Sequence, residues 1–450
     1  MISRTTAYRA TVALIWALAL WHSWTSRGLF VDGANFLVHV VRQEDFFDFY
    51  DPRRYAMVAG QIPIMIAVTL GSTDLQLLAR LLSLGLFGLP TLFYTLALHR
   101  AKDDPILLAI VIAAIGLVFM TTSFFIVGEY NTLYALVTLM GVRLATAERL
   151  TIPDGLALAL LALLSIRIYE TMIYLGPLLC LIMLWRVWRA PSRPVIATVL
   201  YLLAAAFAIR GMTVAIYSVT HPHQPSHLEE VWLWAINFWQ NLQFDLALGA
   251  TVVVVAWALV KPADLARNRP YAYAGVFLAL LALSPLLALT DGLVRPLAKS
   301  QYVARTVSGL IIATMVVVCV AYRATPALRL PVFEVLRRPD AARRFLSFSF
   351  VMLLAGLPAD LHLTQTWVGY LDAIRTTVQS RSGIIPVEDT PLARPPYSLF
   401  VEDWVLTTQS VVLRVKPSDG VLAPSRAYMN QWVPFPPEEL PNMGRFRWRD

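Results

Sequence analysis

Apolar runs of membrane-crossing length recur from residue 8 to residue 359, and a hydrocarbon core about 30 Å thick takes about 20 such residues per crossing. No water reaches the backbone there, so a run of this kind has to satisfy its own N–H and C=O groups as a helix. Only 15% of the 450 residues are charged and 58% are hydrophobic, against roughly 25% charged in soluble domains. The expected fold is an all-α polytopic membrane protein, a transmembrane domain over 1–359 followed by a small exported α+β tail over 360–450.

About eleven transmembrane helices are expected, over residues 8–25, 79–98, 105–124, 131–147, 152–167, 171–188, 195–219, 243–260, 271–290, 303–323 and 344–359. With the N-terminus in the cytoplasm, the basic segments 99–102, 143–149, 185–193, 261–269 and 322–344 all fall on the cytoplasmic side, in keeping with the positive-inside rule. The net charge of +8 is then a matter of topology rather than of nucleic-acid binding. The first run, TVALIWALALWHSW, follows Arg4 and Arg9 without a small-residue cleavage site, and reads as a retained signal anchor. Cys180 and Cys319 both fall inside predicted spans, a placement that offers neither a disulfide framework nor a metal-ligand spacing. His221, His223 and His227 read as loop residues.

The acidic segment 28–78 becomes the first external loop. Within it MVAGQIPIMIAVTLG (57–71) is apolar but too short to cross, and counting it as a span would reverse every later basic loop. It reads as an interfacial or re-entrant helix, and the tryptophan-rich 228–244 reads as a second one. Beyond residue 360, LHLTQTWVGYLDAIRTTVQSRSG predicts an amphipathic helix, and short runs such as QSVVLRV predict strands.

P-loop, CxxC pairs, HExxH and G-x-S-x-G are all missing from the sequence. Chemistry must then rest on ionisable groups at the outer face, where each has to reach water or find a partner. Asp32 reads two ways: as the N-cap of a helix carrying Phe36, Leu37, Val40 and Val41 on one face, or as a general base open to membrane and water. Glu44, Asp45, Asp48 and Asp51 read as a solvated loop face beside Arg53 and Arg54.

A short tail, one span, an acidic external loop, an apolar helix with Pro63 to Leu70, then ARLLSLGLFGLPTLFYTLALHRAK (79–102) and MTTSFFIVGEYNTLYALVTL (120–139) succeed one another in order. This order resembles the GT-C superfamily of membrane glycosyltransferases that use polyprenyl-phosphate sugars, such as protein O-mannosyltransferases and the lipid A aminoarabinose transferase. The resemblance implies that Asp32 matches the first-loop catalytic acid and Glu129 the acid of the second external loop, with Tyr130 beside it as a substrate contact. Many members carry two adjacent acids in the first loop, whereas here Gly33 comes after Asp32.

A phosphate leaving group calls for cations. Arg295, Lys299 and Arg305 lie in an external loop against the positive-inside trend and are candidates for the donor phosphate, with Arg167 as a further substrate-binding candidate and Glu170 as its neighbour in an internal ion pair. Arg210 lies within the seventh predicted span.

The expected function is an inverting transfer of a sugar from a polyprenyl-phosphate donor to a glycan, lipid or protein acceptor on the exported face of a cell inner (plasma) membrane, with no metal and no cofactor. A transporter or flippase for a charged lipid or glycan is the alternative, as is a non-catalytic assembly subunit of the same fold.

Overall fold

The structure is a computed structural model, and it describes all residues except 49–52, 123–128, 147–149, 190–192, 222–240, 289–299, 325–329, 426–442 and 449–450. Each apolar run seen in the sequence lies in a helix. In chain order these are α1 (Arg4–Trp24), α2 (Asp32–Gln43), α3 (Arg54–Thr69), α4 (Leu75–Ala101), α5 (Pro105–Thr122), α6 (Glu129–Thr146), α7 (Ile152–Ser165), α8 (Met172–Arg189), α9 (Pro194–Thr220), α10 (Leu242–Val260), α11 (Arg269–Ala288), α12 (Ser300–Ala324), α13 (Pro331–Leu336), α14 (Pro339–Ala355), α15 (Leu357–Ser380) and α16 (Leu406–Leu413).

The helices start where capping chemistry allows. Asp74 accepts from the Gln76 and Leu77 N–H groups at the head of α4, Asp104 does the same for α5 ahead of Pro105, and Thr151 with Asp154 forms a capping box on α7. The 16 residues of α3 extend about 24 Å, less than a crossing, in keeping with its short apolar run.

Six helical stretches among the described residues are long and apolar enough to cross a membrane: Leu75–Ala101, Pro105–Thr122, Pro194–Thr220, Leu242–Val260, Arg269–Leu286 and Pro339–Ser380. Burial distinguishes their settings. Almost all of α5 is buried, as befits a helix apolar all round. In contrast, α9, α10 and α11 expose Leu202, Ile209, Met212, Val255, Leu259 and Leu283. Apolar surface on this scale is foreign to a protein surrounded by water and marks a membrane-associated protein.

Contacts at the helix ends fix the directions. The α1 head lies beside the α4 tail through Arg4 Nη1 donating to the Asp103 carbonyl (2.7 Å) and Tyr8 against His99, while Ser23 near the end of α1 donates to the Arg80 carbonyl at 2.7 Å. The same end as the α1 head gathers Arg100, Arg143 and Asp154, and Arg323 with Asp104. The opposite end holds a second set of charges.

There α1 and α15 are joined by a buried network. Asp360 Oδ2 lies 2.8 Å from His22 Nε2, and Arg27 Nη1 donates to Asp360 Oδ1 (2.8 Å) and to Thr364 Oγ1 (3.1 Å). The Phe87 ring of α4 closes it, edge-on to His22 and 5.2 Å from the Arg27 guanidinium.

After α15 the chain forms β1 (Ile384–Pro386) and β2 (Val421–Ala423), a two-stranded parallel pair in register Ile384 with Val421. One expectation fails here: QSVVLRV is not a strand, because Leu406–Leu413 forms α16. All eight residues of α16 are buried, so neither a helical nor a strand period shows in its sequence, and the β-branched pair Val411–Val412 pointed the wrong way.

Asp360→Asn should leave the Arg27 charge uncompensated in the interior and lower stability by about 3–5 kcal/mol. Thermal unfolding in detergent micelles measures this. Replacing all three of His22, Arg27 and Asp360 by apolar residues of similar volume should cost much less.

Candidate functional site

The turn between α1 and α2 is held by close backbone approaches. Ser26 adopts left-handed dihedrals (φ 52°), and Arg27–Leu29 forms a single 3₁₀ turn. The Gly28 N–H donates to Ser83 Oγ at 2.9 Å. A Cβ on Gly28 would lie 2.7 Å from the Ser83 Cα, and a Cβ on Gly33 would lie 1.5 Å from the Gly28 carbonyl oxygen. Neither position tolerates a side chain. This crowding is why a glycine stands after Asp32.

Asp32 itself is not an N-cap. It is the first residue of α2; the capping position belongs to Val31, whose side chain makes no cap bond and whose backbone sits at φ 54°, ψ −126°. Positive φ is a genuine outlier for a β-branched residue, and strain of this kind persists only where the surroundings over-determine it. The turn thus fixes Asp32, half-buried, on the first turn of a helix whose Phe36, Leu37, Val40 and Val41 face the interior. The α16 helix supports it from behind, with Gln409 Nε2 donating to the Leu29 carbonyl at 3.2 Å and Gln409 Oε1 accepting from the Tyr370 hydroxyl at 3.1 Å.

Glu129 opens α6 and is 3% exposed. Arg53, the residue before α3, joins it to the turn between α7 and α8: Arg53 Nη1 lies 3.0 Å from Glu129 Oε2, and Arg53 Nη2 lies 2.7 Å from Glu170 Oε1. The guanidinium also sits 4.9 Å from the centre of the Tyr169 ring. Burial works against the Arg53 charge, but Glu170 and then Glu129 outweigh it and hold the guanidinium protonated.

The Glu129 carboxyl, two residues ahead of the predicted span, is pushed up to about 8 by burial; Arg53 opposes the shift, while the nearby charges of Asp32 and Glu170 add to it. Arg53 pairs with two carboxyl groups, and the proton on Glu129 leaves the guanidinium facing one charged partner, Glu170. The other oxygen of Glu129, Oε1, has no hydrogen-bond partner among the described residues, a smaller cost for a neutral group than for a charged one.

The remaining sequence candidates divide. Arg167 receives the Tyr55 N–H on its carbonyl (2.9 Å), and its guanidinium lies 5.9 Å from the Tyr55 ring, so it borders the same site. Tyr130 is fully buried, donates to the Thr122 carbonyl and stacks edge-on against Tyr134. Its hydroxyl also lies within electrostatic reach of Arg27. Arg210 donates to the Ile166 carbonyl at 2.7 Å. Arg295 and Lys299 lie outside the described residues, as does the side chain of Arg305. His223, His227, Asp51 and most of the 228–244 segment also lie outside them. Of the first-loop acids, Asp48 pairs with Arg54 (2.6 Å) and Glu44 with Arg445 (2.8 Å), the salt-bridged face expected. Among the described residues no group of three His, Cys, Asp or Glu side chains is placed to hold a metal ion.

Sequence reasoning missed Arg53 as the organiser and missed His22, Arg27 and Asp360 altogether. A signal for two of them was present: in the topology expected from the sequence, Arg27 and Arg53 fall in the external loop, against the positive-inside trend.

Compared with family models, curated proteins and solved structures, the chain matches none. What stands is the class that fold and site define: a helical, membrane-associated protein with carboxyl groups gathered around a half-buried arginine at one end of its bundle.

Gly33→Ala should displace the Gly28 carbonyl and destabilise the folded protein by about 3 kcal/mol or more, the upper end for overpacking, seen as lost monodispersity on size exclusion. The Glu129 carboxyl keeps its proton to about 8 when folded and has an ordinary value of 4.5, so its contribution to stability declines as pH rises between those values. Glu129→Gln should flatten that decline, and melting temperatures measured across the pH range test it.

Proposed function

We propose that the protein is an integral membrane glycosyltransferase that transfers a sugar, with inversion, from a polyprenyl-phosphate donor to a glycan, lipid or protein acceptor. The observation that supports this most is convergence. Asp32 and Glu129 are the two acids nominated by the resemblance to GT-C enzymes, and they come from distant parts of the chain to one end of the bundle, near enough for the charge of one to act on the other. Arg53, Glu170 and Arg167 complete the surround.

In this reading Asp32, fixed on the first turn of α2 and retaining contact with solvent, accepts the proton of the attacking acceptor hydroxyl. Glu129, protonated and held by Arg53, supports Asp32 from the interior without setting a second negative charge beside it. Arg295, Lys299 and Arg305 receive the phosphate as it departs. The proposal includes the finer topology: about eleven crossings in an inner or plasma membrane, the N-terminus and the end bearing Arg100, Arg143 and Arg323 in the cytoplasm, and the site and C-terminal tail on the exported side.

The test is sugar transfer by the purified protein in nanodiscs from a polyprenyl-phosphate sugar, with radiolabelled product as readout. Asp32→Asn should lower kcat by about 10²–10⁴-fold, the usual contribution of a general base, with the fold retained. An unchanged rate would overturn the assignment of Asp32.

A further inference from the structure

At the end of the bundle away from Asp32, the tails of α4, α6 and α12 and the heads of α5 and α14 leave a cleft of about 410 Å³, within the roughly 300–1,000 Å³ range of small-molecule sites. Three arginines line it: Arg100, Arg323 and Arg337. Each is held by a neighbour. Arg100 Nε donates to Thr146 Oγ1 at 3.0 Å, and its Nη2 lies 3.6 Å from Asp154 Oδ1. Arg323 Nη1 lies 3.5 Å from Asp104 Oδ2. Arg337 Nη2 donates to the Tyr322 carbonyl at 3.2 Å, with the guanidinium 5.5 Å from the Tyr322 ring.

These contacts are partial. The two ion pairs are long and the Arg100 and Arg323 side chains are 40% and 42% exposed, so much of each guanidinium fork remains open. Asp103 and Asp104 also line the cleft; Asp104 accepts from the Ile106 and Leu107 N–H groups as the cap of α5, so three guanidinium groups meet one carboxylate in use as a cap and that of Asp103. This is an arrangement for a phosphate, which guanidinium groups bind bidentately.

The helix that carries Arg100 extends the cleft's surroundings along its exposed face. Leu92, Leu96 and Arg100 stand at intervals of four on α4, and all three are exposed, so they form one stripe along the helix. An apolar stripe that ends at a cation has the order of a lipid: chain along the leucines, headgroup phosphate at the arginine. A free phosphate compound would use the cleft alone and gain nothing from the stripe.

We propose that this cleft is a binding site for the phosphate headgroup of an anionic phospholipid, with an acyl chain lying along the Leu92–Leu96 face of α4. It is separate from the Asp32 site and does not rest on the glycosyltransferase reading; it needs no sugar transfer to be observed.

The experiment uses the full-length protein, delipidated in detergent, and native mass spectrometry with added phosphatidylglycerol or phosphatidylcholine. Phosphatidylglycerol should be retained preferentially, and the preference should weaken as salt rises. Arg100→Gln with Arg323→Gln should reduce phosphatidylglycerol binding by at least about ten-fold, since each charge-assisted contact is worth about that factor. Arg100→Lys with Arg323→Lys should retain the charge and part of the binding, which separates headgroup recognition from damage to α5. Leu92→Ser with Leu96→Ser, which leaves every arginine in place, should also weaken it. Equal retention of the two lipids by the wild-type protein would overturn the proposal. Full competition by millimolar sn-glycerol 3-phosphate, with no effect of the leucine changes, would overturn it in favour of a soluble phosphate ligand.

Discussion

A guanidinium taken out of water has to be matched by a carboxylate, and at one end of this bundle two such matches order everything around them. Asp360 answers Arg27 and His22, joining the close of α1 to the start of α15. Glu170 and Glu129 answer Arg53, joining the start of α3 to α6 and to the turn after α7. Breaking the first strands a charge in the interior, a cost of several kcal/mol; the second, with Arg53 and Glu170 17% and 22% exposed, retains some water. The surrounding helices are bound by apolar contact, which in a membrane discriminates little between one register and another. Charge pairing supplies the register that apolar contact lacks.

The same logic explains why the site looks as it does. Asp32 gains its position from backbone crowding: the Gly28 carbonyl over Gly33, Gly28 against Ser83, and Val31 held at positive φ. Glu129 gains its proton from burial beside other carboxyl groups. Two acids brought to one place by different forces come to differ in environment, one in touch with solvent and one sealed. Enzymes that need a base and a hydrogen-bond donor from the same residue type use that difference.

Much of this was legible in the sequence, and for a definite reason. Helices appear at each apolar run because the run itself dictates a helix, whatever surrounds it. The brevity of α3 was visible as a count of residues, and the pairing of Asp48 with Arg54 as nearness in the chain. The rest depended on distance in sequence. Arg27 and Asp360 are separated by 333 positions, and no spacing rule reaches that far. Asp32 was read as a cap because Asp is a good one; the capping position falls one residue earlier, on a valine that no preference table would select. The β-branched pair in α16 read as strand because complete burial erases the period from which helices are recognised.

The C-terminal segment is anchored twice. It leaves the bundle along α15, and near its end Arg447 lies against the head of α4, donating its N–H to the Thr73 carbonyl at 3.0 Å while its own carbonyl accepts from the Leu75 N–H at 2.9 Å. The stretch Pro339–Ser380 holds 42 residues of nearly continuous helix, about 63 Å of contour, well beyond the 40–45 Å of a bilayer with its headgroups. The chain beyond Ser380 is therefore tied at two places, to the helix it leaves and through Arg447 to the head of α4. A segment tied at two places loses less chain freedom at each tie once the other is made, so the two anchors reinforce each other.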